Sequence, residues 1–220
     1  MTATVAGGGS IWLVRHARSA WTGVRWCGRS DPGLTPAGRA AASRLAGDLA
    51  RDVAAVLVAE AASRPAEAVV LSSPLRRSVE TAEAIGRALR TPVRIDPDLV
   101  EIDFGVADGL TWDELLAAHP TLAATILLGD EPDWPRGETH ADVDRRAGRA
   151  AGRIHALSSG APVVVVSHGG VLRAIARHLD RRPVAGDVGA APVIRLEPAS
   201  MLRLDPLEEA VFDATAAIRP

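Results

Sequence analysis

Two histidines, two arginines and a glutamate stand out because each lies just past a short apolar run of the kind that forms a buried strand. Residues 11–14 lead into Arg15-His16, residues 68–71 into Ser72-Ser73-Pro74-Leu75-Arg76-Arg77, and residues 163–166 into Ser167-His168-Gly169-Gly170. Glu101 opens the segment that follows a short run at 93–95 and the turn Asp96-Pro97-Asp98. An open α/β sheet binds ligands at the carboxyl ends of its strands, so these positions converge on one edge. Together they could make an oxyanion site with a nucleophile and an acid. A neutral imidazole at His16 can attack phosphorus, splitting hydrolysis into two steps. Nearby guanidinium groups disfavour its protonated form. Arg15 and Arg77 could grip phosphoryl oxygens bidentately. His168 could donate to the same oxygens, helped by the N–H groups opening its helix. Glu101 could give a proton to the leaving alcohol and later take one from water. Each residue alone also fits a plain structural role: a solvated strand end, a helix cap, a surface carboxylate. The coincidence of all five at strand exits carries the chemistry.

Those positions require strands alternating with helices, hence an α/β fold with a largely parallel sheet. Thr35 and Pro36 read as the cap and first position of a helix carried by residues 40–49, with 51–67 as its end and a connection. Residues 75–89 form the next helix. Its first turn holds Arg76-Arg77, which oppose the helix dipole unless an anion sits there. A helix near 111–118 follows. Residues 119–138, with Pro120, Pro132 and Pro135, read as an irregular lid. The pattern then predicts a helix at 139–157, a helix running on from Ser167-His168-Gly169-Gly170 to about Leu179, and closing strands at 192–196 and 200–204. Residues 1–9 read as a loose terminus and the end of the chain after 208 is indeterminate. The expected architecture is a three-layer α/β/α arrangement with a mostly parallel central sheet. It forms a single domain over 1–220 with a small irregular cap inserted at about 105–138.

Composition excludes several classes. At 220 residues the chain can bury a sizeable core, and a net charge of −2 gives no general attraction for nucleic acid or an anionic membrane. All 25 basic residues are arginine. A P-loop and a Schiff-base mechanism both need a lysine and are ruled out. The single Cys27 excludes an internal disulfide framework and suits a reducing cytoplasm. No signal peptide or membrane span is expected. Cys27 lacks the Arg spacing of a cysteine phosphatase, since position 33 is Gly33. Asp96-Pro97-Asp98-Leu99-Val100 matches a D-x-D-x-[TV] phosphatase pattern but lies far from the first strand, without its partner Lys. Val165-Val166-Ser167-His168-Gly169 lacks the first Gly of a nucleophile elbow. No residue spacing argues for a metal site, and no cofactor is expected.

The ordered blocks Leu13-Val14-Arg15-His16, Gly28-Arg29-Ser30-Asp31, Leu34-Thr35-Pro36-Ala37-Gly38, Ser72 to Arg77 with Thr81-Ala82, Glu101 to Gly105 with Asp108 to Thr111, Gly137-Glu138 and Ser167 to Gly170 resemble the histidine phosphatase superfamily, the phosphoglycerate-mutase-like group (branch 1). The resemblance implies that His16 is the nucleophile, Arg15 and Arg77 the phosphate-binding arginines, Glu101 the acid and His168 the second histidine. It also implies Thr22, Cys27, Gly28 and Gly169 as substrate-binding positions. The chain departs from the family at Ala17, where Gly is usual, at Arg18, where Glu or Gln is common, and at Thr22, which replaces an Asn but keeps a hydroxyl. Arg18 is expected at the pocket mouth, favouring substrates with a second anionic group. Basic residues of the cap between Gly109 and Gly137 are His119 and Arg136, so a phosphatase is favoured over a mutase. The expected function is metal-independent hydrolysis of a small phosphorylated metabolite through a phosphohistidine. The alternatives are mutase-type phosphoryl transfer and a phosphate-ester-binding protein with little turnover. No nucleic acid or membrane partner is expected, and a homodimer is left open.

Overall fold

The computed structural model describes residues 9–60, 67–129, 132–179, 182–183 and 196–205. Among these, six strands form one sheet in the order β3-β2-β4-β1-β6-β5. The strands are β1 (Ile11–Arg15), β2 (Val69–Ser72), β3 (Val93–Ile95), β4 (Val163–Ser167), β5 (Arg182–Pro183) and β6 (Met201–Asp205). β3, β2, β4 and β1 run parallel, while β6 pairs antiparallel with β1 and β5. Every residue of β4 and the first four of β1 are buried. A sheet covered on both faces asks for continuous apolar runs, not alternation, which is why these segments read as they do.

Helices supply the two outer layers. α1 (Pro36–Glu60) and α2 (Arg76–Leu89) cover one face, burying Leu45, Leu49 and Ile85 against Trp12, Val14, Val164 and Val166. α5 (His140–Ser158) and α6 (Gly169–His178) cover the other, packing Ala147, Ile154 and Leu172 on Ile11, Leu13, Val163 and Val165. Among the described residues no helix is long and apolar enough to cross a membrane.

β1 and β4 lie side by side at the centre although most of the chain separates them. Their register pairs Arg15 with Ser167, and β4 in turn sets Val166 against Ser72 of β2. The residues leaving all three strands therefore emerge together.

Several expected boundaries shift. The first helix begins as expected, with the Thr35 hydroxyl accepting the Gly38 N–H at 3.0 Å, but runs without a break to Glu60. At the start of α2 the anion is internal: the Arg76 N–H donates to the Asp31 carboxylate at 2.6 Å. The cap is less irregular than expected. It holds α3 (Trp112–Ala118), with a reciprocal cap between Thr111 and Glu114, and α4 (Pro120–Leu127). Pro120 opens α4 at a first-turn position, where its missing N–H costs nothing, instead of breaking a helix. The closing strand expected at 200–204 is β6, and its outer partner is β5. The strand expected at 192–196 lies outside the described residues apart from Leu196.

Candidate active site

His16 follows the last residue of β1 and is held on both sides. Its N–H donates to the Ser167 carbonyl at 3.0 Å, and its ring Nδ1 lies 2.7 Å from the Ala17 carbonyl. A carbonyl only accepts, so Nδ1 carries the proton and Nε2 keeps its lone pair. Ala17 is fully buried, its N–H on the Thr81 hydroxyl at 3.1 Å. Burial, with Arg77 adding to it, lowers the His16 pKa to about 3.

His168 faces it, ring centroids 5.0 Å apart, at the N-terminus of α6. Its Nε2 lies 2.8 Å from the Ser73 hydroxyl and 3.3 Å from that of Ser78. Its buried Nδ1 has no hydrogen-bond partner among the described residues. Burial first, then the neighbouring His16 and Arg77, holds this ring well below the ordinary histidine range. Two neutral imidazoles thus stand together, each with one committed nitrogen and one uncommitted.

The arginines show the same economy. Arg77 is 1% exposed and gives Nη1 to the Ser30 carbonyl (2.7 Å) and Nη2 to those of Cys27 (3.1 Å) and Gly28 (2.9 Å). Those donors hold the 27–30 loop, so the bidentate grip expected of Arg77 is not offered by its Nη pair; its buried Nε has no partner among the described residues. Arg15 gives Nη1 to the Leu196 carbonyl at 2.8 Å, and its buried Nε likewise has no partner among the described residues. Buried polar nitrogens without partners are rare, and these three suit an oxyanion, His168 Nδ1 carrying a proton when Nε2 accepts the Ser73 hydroxyl.

Glu101 is buried on the same cavity, its Oε1 accepting the Ile102 N–H at 2.9 Å. Gly170 makes room for it: a Cβ there would stand 2.9 Å from that oxygen. The carboxylate arrives through a buried scaffold. Arg146, on the apolar stripe of α5, donates to the carbonyls of Asp98 (2.9 Å), Val100 (2.7 Å) and Glu101 (3.2 Å) and pairs with Glu138 at 2.7 and 2.9 Å. Glu138 also accepts the Asp103 N–H. Burial works against its ionised form, but Arg146 and that N–H outweigh it and its pKa is lowered. Asp108 accepts the N–H groups of Gly28 (2.9 Å) and Ser30 (2.8 Å), fixing the loop Arg77 holds. Sequence reasoning missed Arg146. Its signal was a charge inside the stripe Val143, Ala147, Ala150, Ile154.

A cavity of about 530 Å³ opens here, walled by Arg15, His16 and Glu101 among others. Of the expected substrate-binding positions, Thr22, Cys27 and Gly169 line it, and buried Gly28 does not. Gly28 spends its N–H on Asp108 and its carbonyl on Arg77. The Thr22 hydroxyl accepts the Ser19 N–H at 2.9 Å. The Cys27 thiol points at the Ser30 carbonyl, and burial pushes its pKa up to about 11, so it is no thiolate. Arg18 is exposed and off the wall, its carbonyl taken by the Thr35 N–H. The expectation that it guards the mouth is therefore corrected; Arg173 lines the cavity instead. Among the described residues no cluster of His, Cys, Asp or Glu could hold a metal ion.

Comparisons with known proteins show the family. The sequence profile of the histidine phosphatase superfamily (branch 1) matches residues 11–208. The chain is 36% identical over 185 residues to the bifunctional protein Rv2228c of Mycobacterium tuberculosis, covering 84% of this chain and 46% of that protein. It therefore spans about half the length of the first curated relatives it matches. It is 33% identical over 202 residues to a glucosyl-3-phosphoglycerate phosphatase of Mycolicibacterium vanbaalenii, covering 84% and 82% of the two chains. The native structure of a mycobacterial glucosyl-3-phosphoglycerate phosphatase superposes with a TM-score of 0.62 at 28% identity, covering 77% of this chain and 78% of that one.

Proposed function

The chain belongs to branch 1 of the histidine phosphatase superfamily, and we propose that it hydrolyses a small phosphomonoester through a phosphohistidine on His16. One observation carries the reading: a buried neutral imidazole with Nδ1 locked on the Ala17 carbonyl keeps its Nε2 lone pair, while buried nitrogens of Arg15, Arg77 and His168 have no partner among the described residues.

In the first step Nε2 attacks phosphorus and the P–O bond to the alcohol breaks. Glu101 gives its proton to the departing oxygen. The ring, now bonded at Nε2 and protonated at Nδ1, keeps its bond to Ala17. Charge on the phosphoryl oxygens meets the Nε donors of Arg15 and Arg77 and Nδ1 of His168. In the second step Glu101 takes a proton from water, the oxygen attacks phosphorus, and the P–N bond breaks to restore His16. The arginines supply the positive charge, so the reaction proceeds with chelator present.

Hydrolysis is preferred over mutase-type transfer because the cap offers little to hold a second acidic product: His119 and Arg136 are its basic residues between Gly109 and Gly137. The test is a comparison of leaving groups. Glu101→Gln should slow phosphorylation of the enzyme by roughly 10² to 10⁴ with an alkyl phosphate. With p-nitrophenyl phosphate, whose oxide leaves without a proton, the loss should be mild. An equal loss with both would remove Glu101 from the role of acid. Binding without release of phosphate would leave only a phosphate-ester-binding protein.

A further inference from the structure

Beyond the catalytic groups the cavity wall changes character. Trp26, Phe104 and Trp134 pack on one another, with ring centroids 5.4, 5.4 and 4.6 Å apart. Buried Ala107, Leu115 and Leu122 lie in the same cluster, so the rings are held from behind by the cap. Trp112, Ile126 and Val24 continue the wall. Val24 is 59% exposed, an apolar branched side chain left in water at the cavity.

Besides the catalytic groups, the polar side chains that line the cavity are Ser19, Thr22, Arg25, His140, Arg173 and Arg177. The hydroxyls of Ser19 and Thr22 lie 3.0 Å apart and bond each other. The chain has no Asn, Gln or Tyr anywhere. Arg25 is taken by the Gly109 carbonyl and Glu114. A polyhydroxylated alcohol laid against the apolar part of this wall would shed water from hydroxyls that the rings cannot bond, which is costly. A planar apolar body would lose little and cover three half-buried rings.

We propose that the alcohol released by this site is ring-bearing and largely apolar, with its ring seated on Trp26, Phe104 and Trp134. The inference rests on the phosphatase reading above and assigns its substrate class. It differs from the sugar phosphate that the names of two relatives would suggest.

The test compares primary-alcohol esters of similar leaving tendency: 2-phenylethyl phosphate and 2-(2-naphthyl)ethyl phosphate against glycerol 3-phosphate and glucose 6-phosphate. The ring-bearing pair should exceed the polyols in kcat/KM by about 10- to 100-fold, the yield of burying an aromatic face. Trp134→Ala should lower the ring-to-polyol ratio by about 10-fold or more, and Trp134→Phe should restore most of it. Val24→Ser, at an exposed wall position unconnected with folding, should lower the same ratio about two- to threefold, so the inference stands or falls even if Trp134→Ala unfolds. Polyols hydrolysed as well as or better than the ring-bearing esters, or ratios unmoved in the variants, would overturn the inference while leaving the phosphatase intact. Failure to hydrolyse any ester, p-nitrophenyl phosphate included, would overturn both.

Discussion

Replacing Arg146 should cost more than removing any surface arginine, because it is the post on which the Glu101 segment hangs. Its side chain is 7% exposed and makes five hydrogen bonds, two to the Glu138 carboxylate and three to backbone carbonyls of residues 98, 100 and 101. Arg146→Ala leaves Glu138 with Arg29, a more exposed partner at 3.1 Å, and strips those carbonyls of a donor. Breaking one side of a buried ion pair typically costs 3–5 kcal/mol, so about 4 kcal/mol is expected here. For a chain of this size that corresponds to a fall in Tm of roughly 8–16 °C. Arg146→Lys keeps the charge but cannot make five planar donations. It should regain about half the stability while kcat stays depressed, since the Glu101 carbonyl remains unheld. Urea unfolding followed by circular dichroism gives the first quantity, and kcat on an alkyl phosphate in the folded variants the second. A loss under about 1 kcal/mol, the scale of exposed pairs, would refute the scaffold argument.

Other outcomes follow from the same geometry. Unfolded histidine titrates near 6.5 and folded His16 near 3, with His168 also well below, so the unfolded chain binds more protons between those values. Stability is therefore full above about pH 6.5 and falls toward pH 3, by up to about 1.4 kcal/mol per unit for each ring; a urea midpoint flat from pH 7 to 5 would contradict this. Arg77→Ala should abolish most activity and Arg76→Ala little, because Arg77 is buried on the loop and Arg76 is exposed and paired with Glu80; steady-state rates with the reverse order would show the assignment wrong. Arg173 makes no hydrogen bond or ion pair with the described residues and lines the cavity four residues beyond Gly169, about 6 Å along α6. Arg173→Ala should raise KM about 5- to 30-fold for esters bearing a second anionic group and less for simple monoesters; equal shifts would place it on the phosphoryl group itself.

The strands were legible because a doubly covered sheet writes itself as unbroken apolar runs, and 11–14 and 163–166 are such runs. The resemblance marked His16 and His168, but their 5.0 Å approach depends on β1 pairing with β4, a long-range choice no local pattern encodes. Arg76 and Arg77 are neighbours of the same type; the resemblance chose Arg77, and the burial of Arg77 beside an exposed Arg76 came from the structure. Residues 119–138 were expected to be an irregular lid because Pro signals both helix starts and helix ends, and at Pro120 it proved a start. Arg18 was expected at the mouth because it stands where the family carries an uncharged or acidic side chain, yet it is exposed and off the cavity wall. The aromatic wall joins Trp26 to Phe104 and Trp134, whose meeting follows from the fold of the cap.

The central claim is a covalent bond from phosphorus to Nε2 of His16. Rapid-quench reaction with a phosphorus-labelled ester, followed by digestion, should place acid-labile, base-stable label on the peptide containing His16, in a burst that precedes steady release of phosphate. His16→Ala should carry no label, while His168→Ala should label slowly at the same residue. Label on another side chain, or full turnover by His16→Ala, would contradict the account.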